Sequence, residues 1–218
     1  GDHRDLHSFP TRRSSDLDPP AAREDVLFLR ADITSEKDCA EAAAFVEEKF
    51  GGLDVLVNNA GIITRSGTEA TSLDDWNRVL AVNLTGAFLV TRTLLPLLRA
   101  SGGGRIVNLS SRAAGRPHRN AAPSYGAAKA ALVYLTRHWA MEYGDAGILC
   151  FAVCPGPVSS PMFEKLDPAY RSRIAGEMAG KRPIEPEDVA DIVVYAALDC
   201  PPSMTGQSFH CNGGTYWT

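Results

Sequence analysis

Two periods of apolar spacing alternate along this chain. Val26-Leu27-Phe28-Leu29 is a short unbroken apolar run that reads as a buried strand, ending at Arg30-Ala31-Asp32. Thr34 or Ser35 then offers a cap for a helix reaching to about Phe50, with Gly51 as its stop. Asp54 to Asn58 is a second strand. Ser72 followed by Asp75 marks the start of a long helix through Leu95, with a kink or break expected near Pro96. Arg105 to Ser110 reads as a third strand, Tyr125 to Tyr143 as a helix, and Ile148 to Val153 as a fourth strand. Pro186 opens another helix, and Gln207 to Cys211 closes the sheet. Strands and helices in alternation predict one α/β domain built on a doubly wound parallel sheet.

Composition narrows the picture. The 218 residues are 44% hydrophobic and 22% charged, which suits a single domain with a sizeable core. The net charge of −4 comes without a basic block or an acidic tail, which argues against nucleic acid or an anionic membrane as a partner. The longest apolar runs are short strands such as Val55-Leu56-Val57, and none approaches the roughly 18 apolar residues of a membrane span. The cysteines (Cys39, Cys150, Cys154, Cys200, Cys211) are odd in number and lack CxxC spacing. They read as reduced thiols of a cytoplasmic protein, with no metal site expected.

Residues 1–17 stand apart. The segment GDHRDLHSFPTRRSSDL has no periodicity, no apolar stretch and no small-residue cleavage site, so it is not a signal peptide. Back-translated in one frame, it resembles a short-read sequencing adapter from Gly1 into Leu17; the bland alternative is a disordered arginine-rich tail. It is therefore read as artefactual, with the domain at 18–218, and His3 and His7 are not ligand candidates.

Chemistry gathers in four places. Tyr125-Gly126-Ala127-Ala128-Lys129 puts a phenol and an ammonium one helical turn apart on one face. A phenol titrating near 10 is a poor base at neutral pH, and a nearby lysine charge favours the phenolate. Alone, the pair is weak evidence, since an exposed lysine on an amphipathic helix looks the same. Asn58-Asn59-Ala60-Gly61 follows a strand, where small residues let a flat ligand approach the backbone. Asn108-Leu109-Ser110-Ser111 brings hydroxyls to the same sheet edge, and Cys154-Pro155-Gly156-Pro157-Val158-Ser159-Ser160 leaves the next strand in a rigid turn. Each could be an ordinary strand exit.

In this order the four resemble the classical short-chain dehydrogenase/reductase family, over about residues 24–215. Asn83 in Val82-Asn83-Leu84 and the terminal Thr205-Gly206-Gln207 and Asn212-Gly213-Gly214 extend the match. The resemblance implies a Rossmann-like fold and a nicotinamide-dependent oxidoreductase that interconverts a carbonyl and a secondary alcohol, using NAD or NADP. It implies that Tyr125 is the acid/base, that Ser111 hydrogen-bonds the substrate oxygen, that Lys129 lowers the tyrosine pKa and contacts the cofactor ribose, and that Asn83 holds a relay water. Asp32 and Ile33 would flank adenine. Asn59, Ala60, Gly61, Pro155, Gly156, Val158 and Ser160 would line the cofactor, with Ser160 at its carboxamide. It also implies a homo-oligomer built on the helices of Asn83 and Tyr125 and on the last strand.

Two departures qualify the resemblance. Ser111 lies one residue further from Tyr125 than is common in the family, so Ser110 stays open as the alternative serine. The glycine-rich turn between the family's first strand and helix, where a pyrophosphate meets backbone N–H groups, has no counterpart; no GxxxGxG occurs. The domain is therefore expected to lack its first β-α-β-α portion. The Val26–Leu29 and Asp54–Val57 strands would pair with each other or leave a gap loosely covered by residues 1–25, and the chain as written would be inactive. A non-catalytic binding or regulatory module, or a dehydratase or epimerase on the same fold, are the competing readings. Substrate choice is expected to lie mainly in Phe163–Lys181, whose Lys165, Arg171, Arg173 and Lys181 could meet an acyl-carrier substrate or simply form a solvated face.

Overall fold

Residues that alternate along each strand send their side chains to opposite sides, and both sides here are covered by helices. The computed structural model of the chain describes residues 26–119, 121–164 and 166–216; the segment at 1–17, the rest of 1–25 and Lys165 lie outside them. Four parallel strands, β1 (Val55–Asn58), β2 (Gly104–Leu109), β3 (Ile148–Val153) and β4 (Ser208–Phe209), pair in the order β1-β2-β3-β4. Asn58 lies opposite Asn108, and Leu109 opposite Val153, so the strands end in step. Leu56, Ile106, Ile148 and Cys150 pack on one face, against Leu94, Leu97, Leu98 and Trp139. Val107, Leu109, Phe151 and Val153 pack on the other, against Ala196, Ala197 and Cys200. The fold is a doubly wound, Rossmann-like α/β layer.

Local signals set most boundaries. Helix α1 (Glu36–Phe50) starts where the Ser35 hydroxyl accepts from the Asp38 N–H, and it stops at Gly51, whose φ of 72° is left-handed. Helix α4 (Pro123–Tyr143) opens on a proline, as does α7 (Pro186–Val194), where the Glu185 N–H donates to Asp188 Oδ2 at 3.0 Å. Two short helices, α5 (Pro161–Glu164) and α6 (Pro168–Glu177), fill the segment before α7.

Three expectations are corrected. Val26–Leu29 is not a strand; its four side chains are 39–55% exposed, and no strand among the described residues pairs with it. An apolar run extends in a sheet only when a neighbour satisfies its backbone, and the outer edge of β1 does not take it. Direct pairing with β1 does not occur, and the alternative of a gap covered by residues 1–25 lies outside the described residues. Second, Pro96 does not end its helix: α2 (Leu73–Leu80) and α3 (Gly86–Ala100) form one helical run to Ala100, because Leu94, Leu97 and Leu98 are buried on either side of the proline. The irregularity sits instead in a π-helical turn at Ala81–Thr85. Third, the 28-residue run Leu73–Ala100 is long and apolar enough to cross a membrane by length and composition. Here it is packed as a core helix, with Val79, Leu89, Leu94, Leu97 and Leu98 buried.

Candidate active site

A buried polar chain fixes the strand ends. Asn58 Nδ2 donates to Thr91 Oγ1 at 3.0 Å and to Asn108 Oδ1 at 2.8 Å. Asn108 Nδ2 donates to Thr136 Oγ1 at 2.9 Å, and that hydroxyl donates to the Leu132 carbonyl. These bonds tie β1, β2, α3 and α4 together just beneath the point where the strands release their loops. Polar groups buried this deeply are tolerated because they satisfy one another.

Above that chain, at the C-terminal ends of β1, β2 and β3, lies a cavity of about 720 Å³. A crevice there is where doubly wound sheets take ligands. Ten of the thirteen candidate residues, Asn59, Gly61, Asn83, Ser111, Tyr125, Lys129, Pro155, Gly156, Val158 and Ser160, line it.

 

Asp32, Ile33 and Ala60 do not line the cavity. Asp32 Oδ1 instead accepts from the Thr34 backbone and hydroxyl, at 2.9 and 2.7 Å, and the Asp32 N–H donates to Asp38. The Ile33 side chain covers Gly86, where a Cβ would meet it at 2.6 Å.

The two serines separate cleanly. Ser110 is buried and donates to the Lys129 carbonyl at 2.8 Å, which ties β2 to α4. Ser111 lines the cavity beside Tyr125, and its hydroxyl favours the ionised form of that phenol. The Ser111 oxygen also accepts from the Ala113 N–H at 3.1 Å, which holds its rotamer. Lys129 is only 4% exposed, and its Nζ donates to the Leu109 carbonyl at 2.6 Å. It sits 5.9 Å from the centre of the Tyr125 ring. Asn83, on the π-helical turn, donates to the Ile62 and Val79 carbonyls, while its buried Oδ1 has no hydrogen-bond partner among the described residues. A Cβ at Gly61 would meet that oxygen at 2.8 Å and Lys129 Nζ at 3.4 Å, so glycine keeps this corner open.

The electrostatics around the phenol have several sources. Burial pushes the Tyr125 phenol up, against the Ser111 hydrogen bond and the Arg65 charge, which pull it down. Lys129 is not among the groups acting on it. Burial lowers Lys129 itself to about 8, and its ammonium is aimed at a carbonyl rather than at the phenol oxygen. The phenol, held above its usual range, is therefore protonated at neutral pH.

Sequence reasoning missed Arg65, Arg112, His118 and Tyr170, all of which line the cavity. Arg65 and Arg112 had a readable signal, since each closely follows a strand-end motif. His118 and Tyr170 had none. Among its described residues, the Phe163–Lys181 segment reaches the site through Phe163, Leu166, Tyr170 and Ile174, and not through Arg171, Arg173 or Lys181. Arg173 pairs with Glu177 at 3.0 Å, and Lys181 donates to the Gly176 carbonyl.

Comparison with known proteins agrees with this arrangement. A family model described as enoyl-(acyl carrier protein) reductase matches residues 7–216. The chain is 36% identical over 192 residues to a trans-4-hydroxycyclohexanecarboxylate dehydrogenase of Sinomonas cyclohexanicum, covering 88% of this chain and 71% of that one. It is 34% identical over 200 residues to an acetoacetyl-CoA reductase of Shinella zoogloeoides, covering 91% and 83%. Among solved structures, ElxO with NADP bound superposes with a TM-score of 0.82 at 29% identity, covering 88% of this chain and 79% of that one. The chain belongs to the short-chain dehydrogenase/reductase family, whose members are NAD(P)-dependent oxidoreductases.

Proposed function

We propose that the site interconverts a carbonyl and a secondary alcohol on a small molecule, with NAD or NADP as hydride carrier. The observation that carries this reading is the meeting of the Tyr125 phenol with the Ser111 hydroxyl at one wall of the cavity, beside Lys129. The protonated phenol donates to a substrate oxygen as negative charge develops there, and Ser111 shares that oxygen. Lys129 and the unpartnered Asn83 oxygen flank Gly61 and fit the ribose end of a nicotinamide cofactor, with room left by the missing Cβ. The cofactor, when bound, supplies or accepts the hydride. The relatives named above are a dehydrogenase and a reductase, which supports both directions of the reaction. A purely binding module would have no use for a phenol and a hydroxyl held together in a cavity.

The finer parts of the reading concern assembly and cofactor affinity. Phe88, Tyr134 and Met141 are exposed apolar side chains on α3 and α4, which suits association of copies through those helices in the cytoplasm. The 218 residues contain no GxxxGxG turn, and the start of α1 is already satisfied by its own Ser35. By themselves they are therefore expected to hold NADH or NADPH weakly, since each lost charge-assisted hydrogen bond costs about 1.5–3 kcal/mol. The test is Tyr125→Phe in a chain that carries a glycine-rich turn ahead of these residues. Turnover should fall by a factor of about 1,000 or more while cofactor affinity, measured by calorimetry, is kept. Undiminished turnover in that variant would sink the assignment.

A further inference from the structure

The cavity has a charge asymmetry that acid/base chemistry does not need. Among the described residues no Asp or Glu lines it, whereas Arg65, Arg112 and Lys129 do. Lys129 is turned to the Leu109 carbonyl, so the cation on this wall with a donor still to satisfy is the Arg112 guanidinium. Arg112 is 8% exposed, and its Nη1 is buried without a hydrogen-bond partner among the described residues. Burying a guanidinium with an unsatisfied donor is unfavourable unless an acceptor completes it. Glu177, whose charge reaches Arg112, is engaged by Arg173 at 3.0 Å and by Arg116 at 3.8 Å, and it does not line the cavity.

The neighbours form one group. The charges of Arg65 and Arg112 both reach His118, whose Nδ1 is also buried without a hydrogen-bond partner among the described residues. Burial, then those two charges, hold His118 below its usual range, so at neutral pH it is an uncharged imidazole able to donate or accept. Arg65 also reaches the Tyr125 oxygen, which places the cationic wall beside the proposed reacting atom.

We infer that this wall of the cavity, built from Arg112, Arg65 and His118, receives an anionic group on the substrate, and that the substrate is a hydroxy or oxo acid whose carboxylate sits there while its oxygen meets Tyr125. A planar carboxylate completes the guanidinium of Arg112 with two parallel hydrogen bonds, which a neutral ester does not. The inference rests on the reaction proposed above but adds the charge of the substrate. A phosphate of the cofactor is the other source of negative charge, and it is separated experimentally.

The probes are 4-oxopentanoate, its methyl ester and 5′-AMP, titrated into the 218-residue chain with ligand-observed NMR. The acid should bind saturably and at least about tenfold more tightly than the ester. Arg112→Gln should remove that preference, weakening the acid about tenfold and leaving the ester unchanged. Arg65→Gln should weaken the acid in the same direction, and it serves as the test if the first variant does not fold. Equal binding of acid and ester, binding of neither, or an acid affinity untouched by both variants would overturn the inference. So would an outcome in which Arg112→Gln weakens 5′-AMP and spares the acid. Tyr125→Phe distinguishes the two readings: acid preference kept with turnover lost supports both. Turnover kept with preference kept breaks the reaction alone, and preference lost in wild type with turnover intact breaks the anion site alone.

Discussion

The two sides of β1 differ in what holds them. Toward β2, every strand position has a ladder partner, and the Asn58 side chain joins Asn108 and Thr91 inside the protein. Toward the other edge, Val57 is 40% exposed and the apolar Val26–Leu29 run lies open without a strand partner among the described residues. Both regions are rich in β-forming residues, so propensity does not separate them. What separates them is whether backbone and side-chain polar groups find partners, which is a tertiary property.

The largest expected effect tests the well-knit side. Replacing Asn108 by Leu removes the acceptor for Asn58 and the donor to Thr136, leaving two polar groups buried without those bonds. At about 1–3 kcal/mol for each of the two unsatisfied groups, the loss should be about 2–6 kcal/mol. Urea unfolding of the variant should show a lower midpoint with the same slope. A change under about 0.5 kcal/mol would mean that the polar chain decorates the strand ends rather than fastening them.

The same contrast explains what could be read from sequence. Ser35, Gly51, Pro123 and Pro186 act on the adjacent backbone, so the helix limits they set are visible locally. Ile148–Val153 is bounded by a left-handed Gly147 and reads as a strand at once. Val26–Leu29 carries a similar apolar pattern, but its fate depends on a neighbour, and no local residue announces one. The π-helical turn that carries Asn83 has no proline or glycine pair to mark it. At the site, motif residues were legible because chemistry restricts them to particular types. Arg112 and His118 were not, because an arginine or a histidine in a loop has many uses and only the closed cavity shows which one applies.

A smaller effect concerns Lys129. Its pKa is about 8 in the folded chain against 10.5 for an unhindered lysine. Between those values the unfolded chain holds more protons than the folded one, so stability rises with pH through that window. Burial pushes Cys150 up to about 12, which acts in the opposite sense above roughly pH 9, so the clean range is below that. From about pH 7.5 to 9 the lysine contributes a gain of about 1 kcal/mol. Lys129→Met should lack this rise when the two proteins are unfolded side by side across the same buffers. Parallel stability curves for the two would show that the lysine keeps its ordinary titration in the folded state.

The smallest expected effect belongs to the open side. Phe28 is 55% exposed, and its neighbours Leu27 and Leu29 are 47% and 46% exposed. A side chain that remains half in water contributes little through burial, and it has no ladder bond whose loss would expose a polar group. Phe28→Ser should therefore change unfolding stability by no more than about 0.5 kcal/mol, the range of ordinary surface substitutions. The same change at Phe151, which is fully buried between the β3 neighbours and the helix that follows α7, should cost about 3–5 kcal/mol. The two residues share a side chain and an apolar setting in sequence, so their difference isolates the contribution of tertiary enclosure. If Phe28→Ser instead costs more than about 2 kcal/mol, the Val26–Leu29 run is packed in solution against something that encloses it, and the two sides of β1 are more alike than this structure makes them.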